Sequence, residues 1–229
     1  MRVAIADLGL GNLRSVERAV KRAALAAQAP VEVAVTGDAA AFAEADCLIF
    51  PGQGAFRDGA RALASGAGAY IYQHIRSGKP YFGICLGLQL LFAASDEAPG
   101  SMGLGIFSGR VRRLGGDHLP AVGSRKVPHM GWNRVHASAG SSLASSLASP
   151  LASINGEYMY FIHSFAAVVE DAGVRCATAS YGEEITAAVH RQNVLAVQFH
   201  PEKSQASGHR LLTEVLGWAS RVAGERVAS

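Results

Sequence analysis

Long apolar runs are missing from this chain of 229 residues. No uninterrupted stretch approaches the roughly 18 residues that a membrane span requires. The apolar opening Val3–Ala6 is cut short by Asp7, well before it could form a signal-peptide core, so no membrane association is expected. Cysteine is scarce too. Cys47, Cys85 and Cys176 are odd in number and widely scattered, which excludes a disulfide framework and suits a reducing, cytoplasmic setting. Charged residues are only 17% of the chain and leave a net charge of +3, too slight to argue for nucleic acid. No metal-ligand spacing links the histidines. A phosphate loop of the type G-x-x-x-x-G-K-[ST] is absent. Gly9-Leu10-Gly11-Asn12-Leu13-Arg14 has Arg14 where a dinucleotide loop needs its third glycine. Neither a metal nor a cofactor is therefore expected. His74, His118, His136, His190 and His209 read as surface or internally satisfied groups. The basic cluster around Arg110, Arg112, Arg113, Arg125 and Lys126 reads as a solvated face.

What is present is apolar matter and glycine: 49% hydrophobic residues and 26 glycines. That is too apolar for a disordered chain and enough for one sizeable domain over residues 1–229. Short buried strands are predicted at 2–7, Val31–Val35, Asp46–Phe50 and Lys79–Ile84. Between them lie a helix capped by Asn12, with Leu13, Val16, Val20 and Ala24 on one face, and a helical stretch from the fifties to the seventies. A further helix is expected through Leu90-Leu91-Phe92. This rhythm means an α/β fold in three layers, a largely parallel central sheet flanked by helices. The second half changes to short β-like runs at Phe107–Leu114, Trp132–His136, Tyr158–His163, Val174–Tyr181, Ile185–His190 and Val194–Phe199. Tyr181–Glu184 and Arg191–Asn193 are expected as hairpin connections. A final helix carries Leu211, Leu212, Val215 and Trp218 at helical spacing. Residues 138–151, rich in Ala and Ser, read as a low-complexity surface loop.

The strongest chemical signal is Gly83-Ile84-Cys85-Leu86-Gly87, placed after a strand and opening a helix. It is the nucleophile-elbow pattern with Cys at its centre. The glycines permit the sharp turn, the helix N-terminus favours a thiolate, and the N–H of Leu86 can donate to an oxyanion. Most lone cysteines are structural, and Cys47 and Cys176 are read that way. Cys85 is not, because of its two glycines. A cysteine nucleophile needs a base, and the base an orienter. In Gln198-Phe199-His200-Pro201-Glu202-Lys203, His200 and Glu202 stand two residues apart at the end of a strand, so both can face one site. Pro51-Gly52-Gln53-Gly54 ends another strand. It is an ordinary turn or a loop whose backbone N–H groups complete an oxyanion hole.

Taken together these residues resemble the class I glutamine amidotransferases. Three further stretches resemble the glutaminase subunits of imidazole glycerol phosphate synthase: Asp7-x-Gly9-x-Gly11-Asn12-Leu13-Arg14-Ser15, Lys126-Val127-Pro128-His129-Met130-Gly131-Trp132-Asn133, and Tyr160-Phe161-Ile162-His163-Ser164-Phe165. The resemblance implies a flavodoxin-like fold with a more antiparallel C-terminal half. It implies that Cys85 attacks the side-chain amide of L-glutamine, His200 passes the proton to ammonia and Glu202 orients His200. By the same resemblance Gly52, Gln53 and Leu86 form the oxyanion hole. Gln89, Glu97, His163, Ser164 and Phe165 hold glutamine, with Glu97 at its ammonium. Ammonia would pass to a separate (β/α)8-barrel cyclase subunit in a heterodimer. Asn12, Trp132 and Lys203 would face that barrel. The chain departs from the family pattern at Gln53, where Val is usual, at Phe165, where Tyr is common, and in the Ala/Ser segment. Two other readings stay open at this point: a stand-alone cysteine hydrolase of γ-glutamyl compounds, and a non-catalytic partner-binding module.

Overall fold

Short apolar runs that end in glycine, proline or cysteine build the centre of the molecule. The computed structural model describes residues 1–27, 30–115, 126–137 and 149–227. Among them, β1 (Arg2–Ala6), β2 (Glu32–Thr36), β3 (Cys47–Gly52), β4 (Tyr81–Cys85) and β12 (Val194–Val197) pair in parallel in the order β2-β1-β3-β4-β12. The sheet continues antiparallel through β11 (Glu184–Arg191), β10 (Arg175–Ser180) and β7 (His136–Ala137). Every residue of β3, β4 and β12 is buried, as continuous apolar runs in a sheet covered on both faces must be. The two expected hairpins are present, with Ser180 opposite Glu184 and Arg191 opposite Val194.

Helices cover both faces. On one, α1 (Leu13–Ala26) buries Val16, Val20, Ala23 and Ala24, and α6 (Gln205–Val227) buries Leu211, Leu212, Val215 and Trp218. The other face carries α2 (Ala39–Glu44), α3 (Phe56–Ala62), α4 (Gly68–Arg76) and α5 (Leu86–Gln89), with Phe42, Phe56 and Ile71 fully buried. Each such side chain contributes about 1.5–3 kcal/mol. Two antiparallel ribbons flank the sheet: β5 (Gly109–Arg113) with β9 (Phe165–Val169), and β6 (His129–Arg134) with β8 (Tyr158–His163).

Several local expectations are corrected. Asn12 occupies the N-cap of α1 but its side chain makes no capping bond; Asp38 does cap α2, accepting from the N–H of Ala40 at 3.0 Å. The helical stretch of the fifties to seventies is interrupted by a wide turn at Leu63–Ala67, where Gly66 takes φ +117°. The helix after Cys85 stops at Gln89 instead of continuing through Phe92, so it supplies one turn of dipole and no more. The strand expected over Trp132–His136 is divided between β6 and β7, and β9 follows β8 with Ser164 alone between them, a break that the local sequence does not mark. Residues 138–148 of the Ala/Ser segment, and His118, lie outside the described residues. The end of that segment is no surface loop: Leu151 is buried, and Ser149 Oγ lies 3.0 Å from His190 Nδ1 in the interior. The buried His74 ring lies between the Phe42 and Pro80 carbonyls at 2.7 and 2.9 Å, a group held inside the core.

Candidate active site

The carboxyl ends of the parallel strands converge at one cavity of about 400 Å³, within the range of small-molecule sites and at the edge where open α/β sheets bind ligands. Cys85 ends β4 with φ +56° and ψ −103°, the strained backbone an elbow requires. Its neighbours leave no room for side chains. A Cβ on Gly87 would stand 2.0 Å from the Phe50 carbonyl oxygen, and one on Gly83 would stand 2.6 Å from that of Gly87. The buried Tyr81 hydroxyl donates to the same Gly87 carbonyl at 2.8 Å and pins the turn. Cys47 is fully buried and its thiol is pushed up to about 12, first by burial and then by Asp46; it is inert, as read. The side chain of Cys176 lies outside the described ones.

His200 reaches Cys85 because β12 lies beside β4, with Val197 opposite Ile84. Its Nδ1 is 2.8 Å from Glu202 Oε1, and both side chains are 2% exposed. A short turn at Pro201–Lys203 brings the carboxylate round. The turn is tied down by His200 N–H to the Tyr160 carbonyl at 2.9 Å and by Ser204 Oγ to the His200 carbonyl at 2.6 Å. His200 Nε2 is buried with no hydrogen-bond partner among the described residues. Burial pushes this imidazole down, but Cys85 and Glu202 outweigh burial and hold it up at about 9. The ring therefore carries a proton at neutral pH, next to the sulfur.

The other walls are polar and ordered. Glu97 lines the cavity and its Oε2 accepts from the first N–H of α3, that of Phe56, at 2.8 Å. His163 pairs with His129 across the β6–β8 ribbon, and its Nδ1 lies 2.8 Å from the Phe165 carbonyl. A carbonyl only accepts, so Nδ1 carries the proton, and Nε2 accepts from His129 Nδ1 at 2.9 Å. Asn133 Nδ2 then donates to His129 Nε2 at 3.3 Å and to the Ser180 carbonyl at 2.9 Å. Burial in this relay lowers His163 to about 4, so it is neutral. Gln89 Nε2 donates to the Phe165 carbonyl at 3.0 Å.

The structure brings Cys85, Leu86, Gln53, Gln89, Glu97, His163, Ser164, Phe165 and His200 to one cavity. Glu202 stands behind His200. Gly52 lies opposite Cys85 in the β3–β4 register, outside the cavity lining. Asn12, Trp132 and Lys203 are exposed. In this conformation the Gln53 N–H donates to the Leu10 carbonyl at 2.9 Å and is turned away from the cavity. Sequence reasoning passed over Pro128 and Ile162, which line the cavity, and His129 and Gln198, which lie behind it. His129 and Ile162 fall inside the family-like stretches, but nothing local marks their roles.

Over residues 8–216 the chain matches the family model for glutamine amidotransferase class-I. It is 46% identical to the imidazole glycerol phosphate synthase subunit HisH of Syntrophotalea carbinolica, over 92% of this chain and 97% of that protein. The protein of the same name from Aquifex aeolicus is 40% identical, over 93% and 94%. A crystal structure of a glutamine amidotransferase superposes with TM-score 0.69 at 22% identity, covering 95% of this chain and 98% of the other. This last likeness speaks for the fold.

Proposed function

The chain belongs to the class I glutamine amidotransferases and, within them, to the HisH subunits of imidazole glycerol phosphate synthase, and from that membership we propose that it hydrolyses L-glutamine at Cys85 and hands ammonia to a cyclase subunit in histidine biosynthesis. The observation that carries the reading is the order of groups at the cavity: an elbow cysteine, the His200 imidazole beside it, and behind that the Glu202 carboxylate, 2.8 Å from the imidazole's Nδ1.

The thiolate of Cys85 attacks the γ-carboxamide carbon. The carbonyl oxygen takes the negative charge, facing the N–H of Leu86 and, once the 51–54 loop turns, that of Gln53. His200 gives its Nε2 proton to the departing nitrogen, the C–N bond breaks, and ammonia leaves a γ-glutamyl thioester. Water then attacks the thioester, losing a proton to His200, and glutamate and the thiol are released. Glu202 keeps the ring turned and favours its charged form. Glu97, Gln89 and the backbone at 163–165 hold the amino-acid end.

The whole chain acts in this reading as one amidotransferase domain, in the cytoplasm, paired with a (β/α)8-barrel cyclase in a heterodimer. No helix among the described residues is long and apolar enough to cross a membrane. Support for the partner comes from the β6–β8 ribbon. Trp132 and Met130 are 45% and 58% exposed, Tyr158 opposite Arg134 is 51% exposed, and Trp132 stacks edge-on against Tyr160. Exposed aromatics and methionine of this kind are the usual anchors of interfaces. Asn12 borders a small cavity with His200 and Glu202, and Lys203 follows Glu202, so two of the expected interface residues lie beside the triad.

Glutamine hydrolysis by the purified chain, with and without the cyclase and its nucleotide ligand, tests the reading. Low activity alone and strong stimulation by the liganded partner are expected. Full activity alone would make the chain an independent hydrolase, and none in any condition a non-catalytic module.

A further inference from the structure

Behind the cavity wall lies Gln198, fully buried and 113 residues from Cys85 in sequence. Its Oε1 accepts from Gln89 Nε2 at 3.1 Å, and its Nε2 donates to Cys85 Sγ at 3.5 Å. The polarity of this chain of amides is not arbitrary. The Phe165 carbonyl can only accept, so the Gln89 atom 3.0 Å from it must be nitrogen. The second hydrogen of that nitrogen points at Gln198, which must answer with its oxygen. The nitrogen of Gln198 is thereby turned to the sulfur. One backbone carbonyl sets the direction of both side-chain amides.

Two consequences follow for the chemistry. Both N–H groups of Gln89 are consumed inside the wall, so its carbonyl oxygen is the polar end left for a molecule in the cavity it lines. An acceptor there suits the ammonium of an amino-acid substrate. On the other side, an N–H aimed at sulfur steadies a thiolate more than a thiol, since hydrogen bonds to charged groups are about twice as strong as neutral ones. We propose that Gln198 is a positioning residue that fixes Gln89 as an acceptor toward the substrate ammonium and holds the Cys85 thiolate, so that one buried amide serves both recognition of the amino-acid end and nucleophile reactivity. The proposal rests on the reading of Cys85 as the nucleophile.

The test uses the full chain and Gln198→Met, similar in length and without either polar end. Iodoacetamide labelling of Cys85, read by mass on its own peptide, reports reactivity. Protection against that labelling by L-glutamine and by its analogue lacking the α-amino group reports selectivity for the ammonium. The Gln198→Met variant is expected to label roughly tenfold more slowly and to lose roughly tenfold of the preference for glutamine. In a Gln89→Leu background, Gln198→Met should still slow labelling but change the preference no further, because its effect on selectivity runs through Gln89. A packing role alone would not separate the two readouts. The proposal is overturned if Gln198→Met, with an unchanged melting temperature, stays within about twofold of the parent in both, or if the preference losses add in full. Should Gln198→Met fail to fold, Gln198→Asn, which draws both polar ends back by one methylene, decides by the same two measurements. Glutamine hydrolysis by Cys85→Ala in the cyclase complex separates the levels: if it persists, the nucleophile assignment fails, whatever Gln198 does.

Discussion

The amide of Gln53 donates to the Leu10 carbonyl at 2.9 Å, so the strand-end loop opposite the nucleophile is held away from the place where negative charge would develop. Leu10 sits in the turn between β1 and α1, next to Asn12 on the exposed side of the triad. The resting chain is expected to be a slow glutaminase for this reason. The Gln53 amide should exchange slowly with solvent deuterium in the free chain. It should lose that protection when the cyclase binds, and regain it when an aldehyde analogue of glutamine forms a tetrahedral adduct on Cys85. Equal protection in all three states would remove the loop from the mechanism.

Glu202 holds the imidazole that must give up a proton. Glu202→Gln keeps the shape but removes the charge, and glutaminase activity in the complex should fall by about 10²- to 10⁴-fold. Synthesis from added ammonium salts should survive, as it should for Cys85→Ala. Loss of both activities would mean that the partner or the fold, and not hydrolysis, had been damaged.

Two histidines set opposite limbs of the stability profile. His200 is raised from 6.5 to about 9, so its stabilising contribution is complete below about pH 6.5 and disappears as pH rises through about 9. His163 is lowered from 6.5 to about 4. The unfolded chain binds its proton first, so the native state loses stability as pH falls from about 6.5 toward 4. Urea unfolding across pH should show both limbs. Glu202→Gln should flatten the alkaline limb, and His163→Asn the acidic one. An unchanged alkaline limb in Glu202→Gln would contradict the pairing at 2.8 Å.

The elbow tolerates no side chain at its tightest point. Gly87→Ala drives a Cβ to 2.0 Å from the Phe50 carbonyl and should cost on the order of 3 kcal/mol, seen as a large fall in melting temperature. Gly224, exposed in α6, meets nothing within 4 Å. Gly224→Ala should stabilise by about 0.5–1 kcal/mol. The pair compares one chemical change in two settings, and equal effects would rule out a steric origin.

Trp132 offers its ring to solvent and, among the described residues, to Tyr160 alone of the aromatic rings. Trp132→Ala should leave the melting temperature within a degree or two but weaken cyclase binding by about 2 kcal/mol, measured by titration calorimetry. Undiminished affinity would place the interface elsewhere.

Much of this protein is written in local patterns. The parallel half was legible because buried strands read as short apolar runs closed by Pro51-Gly52 or by Cys85, and because α1 carries its apolar face at helical spacing. Cys85, His200 and Glu202 were legible because an elbow needs two glycines and an extended chain puts residues two apart on one side. Boundaries were not, since Gly66, Ser164 and the stop after Gln89 act through packing that no short window contains.

What the sequence by itself determined is the inventory: the residue types, their spacing along single elements, and the chemistry these could perform. The tertiary structure decided adjacency and direction. Only the return of β12 beside β4 sets His200 against Cys85 and places Gln198 under the sulfur. Only the β6–β8 pairing joins His129 to His163, and only the turn back to the Phe165 carbonyl fixes which nitrogen carries the proton. Only the contact with Leu10 turns the Gln53 amide away from the cavity. These are relations between hydrogen-bonding groups far apart in the chain. Their polarity is set by backbone carbonyls that can only accept, and these become neighbours only when the sheet has closed.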